Sequence, residues 1–255
     1  MKKSDVESVA PLLERAHTLA AIRGGERDRM EIAERADCSR ATVYRATSDF
    51  EEQGLVEHTP NGYRLTGLGQ TVLTQAEQFQ AGVEAARHLE PVLAYTSPPE
   101  LLENIHLFTD ATVVEAEPSA PYIIEQEIEA IIREVDEYMT GITRGFGSPK
   151  VMETTFEQIH SGVEVEWVLT QETFAGVRTQ YDESHTELLS LETTATYAVD
   201  EAPLDIGIYD DTMIVAGFDD ETGTVGAIAI TDNPAAVNWG RRLVAEYRKQ
   251  GERLN

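Results

Sequence analysis

Apolar residues recur at helical spacing through the first part of the chain. Val9, Leu12, Leu13, Ala16, Leu19, Ala20 and Ile22 predict a first helix over residues 6–23, ended by Gly24-Gly25. Met30, Ile32 and Ala33 mark a short second helix over 28–35. Asp37-Cys38-Ser39 reads as a tight turn. Ser39 caps a third helix from Arg40 to about Gln53, because its hydroxyl can accept a free backbone N–H. Gly54 stops that helix. Residues 55–58 and 63–65 are short extended runs around Pro60-Asn61-Gly62, and Asn-Gly between such runs is a strong hairpin signal. Thr66 then caps a long helix to about His88.

The remainder alternates helices and strands. Residues 90–99 hold Pro91, Pro98 and Pro99 and read as a linker, with Pro98 at the first position of a helix ending near His106. Residues 112–116 read as a buried strand. Ile124, Ile128, Ile131, Ile132, Val135 and Met139 share one face of a helix over 121–139, with Gly141 at its end. Further helices are expected over 152–159 and 181–189, and strands over 163–169, 204–209, 213–218 and 225–231. Residues 219–223 form the last turn, and Asn233-Pro234 starts a closing helix to Gln250. The fold class is therefore mixed α+β: a helical N-terminal domain over 1–88 and an α/β domain over 89–255.

Composition supports two domains. The chain has 255 residues, and 41% hydrophobic content suffices for packed cores. A single cysteine, Cys38, excludes an intrachain disulfide and a Cys-rich zinc site. No apolar run approaches the roughly 20 residues of a membrane span, and Met1-Lys2-Lys3-Ser4-Asp5 is unlike a signal peptide. A cytoplasmic protein with no membrane partner is expected. The net charge of −26 argues at first sight against nucleic acid. Its placement changes that picture. Residues 1–80 carry 10 Lys+Arg against 13 Asp+Glu, whereas residues 81–255 carry 10 against 33. Lysine is confined to Lys2, Lys3, Lys150 and Lys249, against 16 arginines. An acidic, lysine-poor surface resembles proteins of salt-loving archaea; an ordinary acidic protein is the alternative reading.

Chemistry concentrates on the third helix. The run Cys38-Ser39-Arg40-Ala41-Thr42-Val43-Tyr44-Arg45-Ala46, followed by Phe50-Glu51-Glu52-Gln53-Gly54-Leu55-Val56, resembles archaeal and bacterial winged-helix regulators. The hairpin and Leu65-Thr66-Gly67-Leu68-Gly69 continue the resemblance, which covers roughly residues 8–75. It implies a winged helix-turn-helix whose recognition helix enters the major groove. The residue types suit that task. Ser39 and Thr42 offer short hydroxyls to phosphate oxygens. Arg40 and Arg45 can neutralise a phosphate or grip a guanine edge at two points. Tyr44 can offer its phenol to the backbone, and Asn61 and Arg64 of the hairpin are placed to touch an adjacent groove. The bland reading has Arg40 and Arg45 as solvated arginines paired with Asp37 or Asp49, and Tyr44 half buried. Thr47 stands where the family commonly has Leu, so looser packing is expected there. Cys38 is either a small packed residue or a redox switch on the turn.

Residues 90–255 resemble the C-terminal domain of a haloarchaeal and methanogen regulator family of the methanogenesis-regulator type, through Asp110-Ala111-Thr112-Val113 and Leu204-Asp205-Ile206-Gly207-Ile208-Tyr209-Asp210. That domain type is similar to the phospholipase D-like effector domain of archaeal sugar-responsive regulators, so the resemblance implies ligand binding or dimerisation without hydrolysis. None of His17, His58, His88, His106, His160 and His185 has a Lys two residues on, as phospholipase D chemistry requires. There is no phosphate-cradling Gly-rich loop and no Gly-x-Ser-x-Gly elbow. Asp219-Asp220-Glu221-Thr222-Gly223 lacks the distal Glu of a calcium loop and reads as a hairpin turn. Arg144, Arg178 and the strand end near Glu115 are loose effector candidates; salt-bridge roles are the simpler reading, and no effector residue is assigned. A dimer would use the long helix 66–88 and the face of residues 113–116.

The expected protein is a non-enzymatic transcriptional regulator of a halophilic archaeon. It needs no cofactor and no metal, binds a double-stranded DNA operator as a homodimer, and leaves a small-molecule effector open. DNA contact is assigned to Ser39, Arg40, Thr42, Tyr44, Arg45, Asn61 and Arg64. The alternative is a winged-helix module that docks on a protein in a transcription complex.

Overall fold

The computed structural model describes residues 10–145, 147–180, 191–219 and 224–254. Two compact units, Met1–Ala81 and Gly82–Asn255, divide the chain, and the mixed α and β class expected from the pattern holds.

In the first unit, helical residues from Ala10 lead into α1 (Ala16–Ala20); residues 6–9 of the expected helix lie outside the described residues. Gly24 and Gly25 end this segment with φ of 86° and 145°. Asp28 then starts α2 (Arg29–Arg35) with a capping box. Its carboxylate accepts from the N–H of Met30 and Glu31, while Glu31 accepts from the N–H of Asp28. Ser39 caps α3 (Arg40–Glu52) by accepting from Thr42 N at 3.1 Å. The hairpin is β1 (Val56–Thr59) and β2 (Gly62–Leu65), antiparallel with Glu57 opposite Arg64. Tyr63 exchanges two backbone hydrogen bonds with Arg27, which ties the hairpin to the start of α2. Only glycine fits at position 62, where a Cβ would lie 2.1 Å from Arg27 O. The Thr66 hydroxyl accepts from Gly69 N at 3.0 Å and opens α4 (Gly67–His88). Leu19, Ile22, Ile32, Val43, Phe50 and Leu73 are the buried centre of this unit, with Cys38 half-buried against it.

The second unit is built on an eight-stranded sheet among the described residues. Its strands are β3 (Thr112–Glu115), β4 (Tyr138–Thr143), β5 (Glu164–Thr170), β6 (Thr194–Val199), β7 (Asp205–Tyr209), β8 (Thr212–Asp219), β9 (Thr224–Thr231) and β10 (Glu252–Arg253). Their order is β10-β6-β5-β4-β7-β8-β9-β3. The β4, β5 and β6 strands are parallel; the other pairings are antiparallel. One face carries α10 (Pro234–Gln250), whose Val237, Trp239 and Leu243 meet Ile208, Met213 and Val215. On the other, α7 (Ile123–Arg133) and α8 (Pro149–Ser161) contribute Ile132, Met152 and Phe156, packed with Met139, Val165 and Tyr209.

Several expectations are overturned here. Residues 90–99 are no linker. They contain α5 (Glu90–Leu93), and Leu89 and Val92 are fully buried in the core of the second unit. Pro98 is the N-cap of α6 (Pro99–Asn104), so Pro99 takes the first helical position; a 3-10 turn, Ile105–Phe108, follows. The helix expected over 121–139 stops at Arg133, and Met139 belongs to β4. The cause is distant in sequence. The Asp210 carboxylate, in a tight turn at φ 46°, accepts from the backbone N–H groups of Asp136, Glu137 and Tyr138 and turns them out of helical bonding. Gly141, expected to end that helix, sits mid-strand in β4, where a Cβ would lie 2.3 Å from the Trp167 ring. The helix expected over 181–189 and most of the 219–223 turn lie outside the described residues. Pattern reading missed α9 (Gln171–Gln180), β6 and the short β10.

Candidate nucleic-acid interface

Helix α3 sorts its residues by face. Val43, Ala46, Thr47 and Phe50 are buried; Arg40, Ala41, Tyr44 and Arg45 are exposed. Among the described residues, neither Arg40 nor Arg45 has a carboxylate partner; Arg45 makes only a 3.4 Å contact from Nε to Ala41 O. Asp49, one partner the bland reading offered, is occupied by Arg15. Ser39 and Thr42 face each other, with hydroxyls 2.9 Å apart at the helix start. Ser39 accepts from Thr42 N for its cap, and with Thr42 donating within the hydroxyl pair the Ser39 O–H is left for an acceptor such as a phosphate.

Tyr44 is 57% exposed, so it is not half buried, and its ring is covered on one side. The Arg29 guanidinium lies 4.4 Å from the Tyr44 centroid and 5.1 Å from that of Tyr63. Arg29 also donates to the Tyr63 hydroxyl and, at 3.3 Å, to Thr47 Oγ1. Pattern reading missed Arg29, since the stack joins α2, α3 and β2 and no local spacing announces it. It also misjudged Thr47. That side chain is fully buried, donates to Val43 O at 2.9 Å and receives Arg29. A Leu there could pack, but it could not hold the guanidinium.

The hairpin differs. Arg64 donates through Nε and Nη2 to Glu57 Oε1 at 2.9 and 2.6 Å, and this hydrogen bond raises its already high pKa further. Asn61 donates to Glu26 Oε2 at 2.8 Å. The structure brings Ser39, Arg40, Thr42, Tyr44 and Arg45 onto one helix and leaves Asn61 and Arg64 engaged with carboxylates on the hairpin.

In the second unit, Arg144 is bound to Asp205, Nε to Oδ2 at 3.0 Å. The Arg178 side chain lies outside the described residues, and Glu115 is exposed at the end of edge strand β3. Val113 and Val114 each pack against a hydrophobic cluster of this unit, so the face of residues 113–116 is partly used. Among the described residues no cluster of His, Cys, Asp and Glu could hold a metal ion, and no helix is long and apolar enough to cross a membrane.

Residues 3–88 match the family model described as the HVO_A0261 N-terminal domain. Residues 121–250, half of the chain, match that of the methanogenesis regulatory protein FilR1, middle domain. The chain belongs to the FilR1 middle-domain family. The FilR1 match covers the part of the sheet from β4 to β9 together with α10, and the family is a regulatory one. Among curated proteins no sequence matches the chain. Solved structures similar to this FilR1-family chain include TrmBL2, described as an archaeal chromatin protein with a novel mode of DNA binding, at 16% identity and TM-score 0.46 over 98% of this chain and 99% of that one. Nuc of Salmonella typhimurium, a phospholipase D family member, is 13% identical with TM-score 0.43 over 57% and 98%. NucT from Helicobacter pylori is 9% identical with TM-score 0.45 over 56% and 97%.

Proposed function

We propose that the chain is a sequence-specific, double-stranded-DNA-binding transcriptional regulator that acts without catalysis in the cytoplasm of a halophilic archaeon. Residues 1–88 are assigned to DNA binding and residues 89–255 to regulation and dimer formation. The observation that carries this reading is the exposed pair Arg40 and Arg45 on a capped helix, free of carboxylates among the described residues. In a strongly acidic protein, two arginines left without counter-charge on one surface are poised for an external anion. Arg40, Thr42, Tyr44 and Arg45 face the major groove, Ser39 meets a phosphate, and Asn61 and Arg64 assist from the wing once their carboxylates give way. A homodimer is assigned to α4, where Leu68, Phe79 and Val83 are exposed and fall within an arc of about 60° at 3.6 residues per turn. Two-fold symmetry would then set half-sites ~34–36 Å apart.

Replacing Arg40 and Arg45 by Ala removes operator binding in a gel shift at high potassium and leaves the oligomeric state unchanged. Undiminished binding sinks the assignment of α3. A second reading, docking on a protein, draws on the wing, whose Arg64 and Asn61 are both held by carboxylates that would face phosphates. Retention of a protein partner by the double-alanine variant, with no DNA bound by either form, would favour it.

A further inference from the structure

The sheet face under α7 and α8 contains a cavity of about 130 Å³ within the second unit. Its wall is apolar, with Ile132, Met152, Phe156, Trp167 and Ile214 among its lining. Gly207 of β7 lines it, next to a second glycine in the sheet. Gly141 of β4 and Gly207 of β7 are directly paired across the sheet, leaving two adjacent positions without side chains. Aromatic groups occupy the space so opened: the Trp167 ring lies over Gly141, and the Tyr209 hydroxyl lies where a Gly207 Cβ would approach it to 2.6 Å.

The carboxylate and threonine groups at this cavity are spent. The Asp205 carboxylate accepts from Thr143 Oγ1 at 2.9 Å, Arg144 N at 2.6 Å and Arg144 Nε at 3.0 Å. Thr155 donates to Val151 O at 2.9 Å. The Tyr209 hydroxyl lines the cavity and has no hydrogen-bond partner among the described residues. Burial drives its pKa up, so it remains a neutral phenol. A phenol hydroxyl that faces an apolar wall without a protein partner gains a hydrogen bond from an acceptor that enters the cavity. A cavity of ~150 Å³ with comparable walls accommodates a benzene-sized molecule. An anion has nothing to gain here, because the nearest guanidinium, Arg144, is already held by Asp205.

We infer that this cavity binds one small, neutral, ring-sized molecule carrying a hydrogen-bond acceptor for the Tyr209 hydroxyl. The inference gives a ligand class to the regulatory role proposed above and rests on that reading for its biological meaning. The binding itself is measured without DNA, so its failure leaves the DNA reading standing. Titration calorimetry on the full chain with acetophenone, ethylbenzene and benzoate tests it. Acetophenone binds saturably, ethylbenzene more weakly, and benzoate not at all. Tyr209→Phe weakens acetophenone about 3–10-fold, the worth of one hydrogen bond, and leaves ethylbenzene unchanged. Ala216→Leu, which fills the cavity from β8, removes both. Absence of saturable acetophenone binding overturns the inference, as does full binding by a folded Ala216→Leu protein. Tighter binding of benzoate, or indifference to Tyr209→Phe, overturns the ligand class. If Ala216→Leu does not fold, the Tyr209→Phe contrast between the two neutral probes decides.

Discussion

Helix α3 and the β1–β2 hairpin carry the same kind of side chain in opposite electrostatic states. Arg40 and Arg45 extend from α3 with no carboxylate partner among the described residues, while Arg64 is clamped by Glu57 directly across the hairpin and Asn61 is held by Glu26. Both regions looked equally suited to an anion in sequence. The difference shows that a cation's availability is decided by what the fold places opposite it. An i,i+4 neighbour on a helix can rotate away, whereas a cross-strand register fixes its pair.

The comparison breaks most visibly through Arg40 and Arg45. Each arginine that grips a base edge is worth about 1–3 kcal/mol, so the double alanine variant loses about thirtyfold or more in operator affinity. Arg64→Ala, starting from a neutralised side chain, loses far less. Equal losses at the two sites, read by fluorescence anisotropy on a labelled duplex, would erase the distinction drawn between helix and wing.

Salt tests the same contrast at the scale of the units. The 33 acidic side chains of residues 81–255 face only 10 basic ones, whereas residues 1–80 are close to balance. At about 1 M salt the Debye length is ~3 Å and this repulsion is silent; in dilute buffer it is not. Calorimetry should show the melting temperature fall as salt is withdrawn, by about 2–4 °C for each kcal/mol of self-repulsion, with the second unit affected first. A melting curve independent of salt counts against the halophilic reading.

A smaller effect comes from Thr47. Its hydroxyl holds Arg29 beside Tyr44 and Tyr63, so Thr47→Val keeps the volume and removes the anchor. A loss of about 1 kcal/mol in stability is expected, together with weaker DNA binding as Tyr44 loses its support. Unchanged stability in a urea melt would show that Arg29 holds itself in place by stacking alone.

The first unit was largely legible because its signals are local. Asp28 and Glu31 form a capping box three residues apart, Ser39 precedes an apolar face, and Asn61-Gly62 sits between two short extended runs. What escaped was long-range. The Arg29 stack draws on residues 15 and 34 positions away; the Glu57–Arg64 clamp, by contrast, is signalled locally by the equal distance of the two residues from the turn. In the second unit the same limit governs the fold. Met139 continued the helical spacing of Ile128, Ile132 and Val135, and only Asp210, some seventy residues on, converts that segment to strand. Pro91, Pro98 and Pro99 suggested a linker, yet Leu89 and Val92 anchor the segment in the core. The cavity was equally hidden, since Gly207, Trp167 and Phe156 come together only in the folded sheet and its covering helices.

The gentlest test of the helix–wing contrast leaves every arginine in place. Glu57→Gln keeps the size of the side chain and removes its charge, so Arg64 regains an uncompensated cation while the backbone of the hairpin is untouched. If Arg64 is held back from the duplex by Glu57, the variant binds severalfold tighter at low salt. Its log–log dependence on salt steepens by about one counterion, as expected for one added phosphate contact. Combining Glu57→Gln with Arg64→Ala should abolish the gain. A gain that survives in the double variant would instead mean that Glu57 simply repels DNA, and the wing arginine would then have no part in binding.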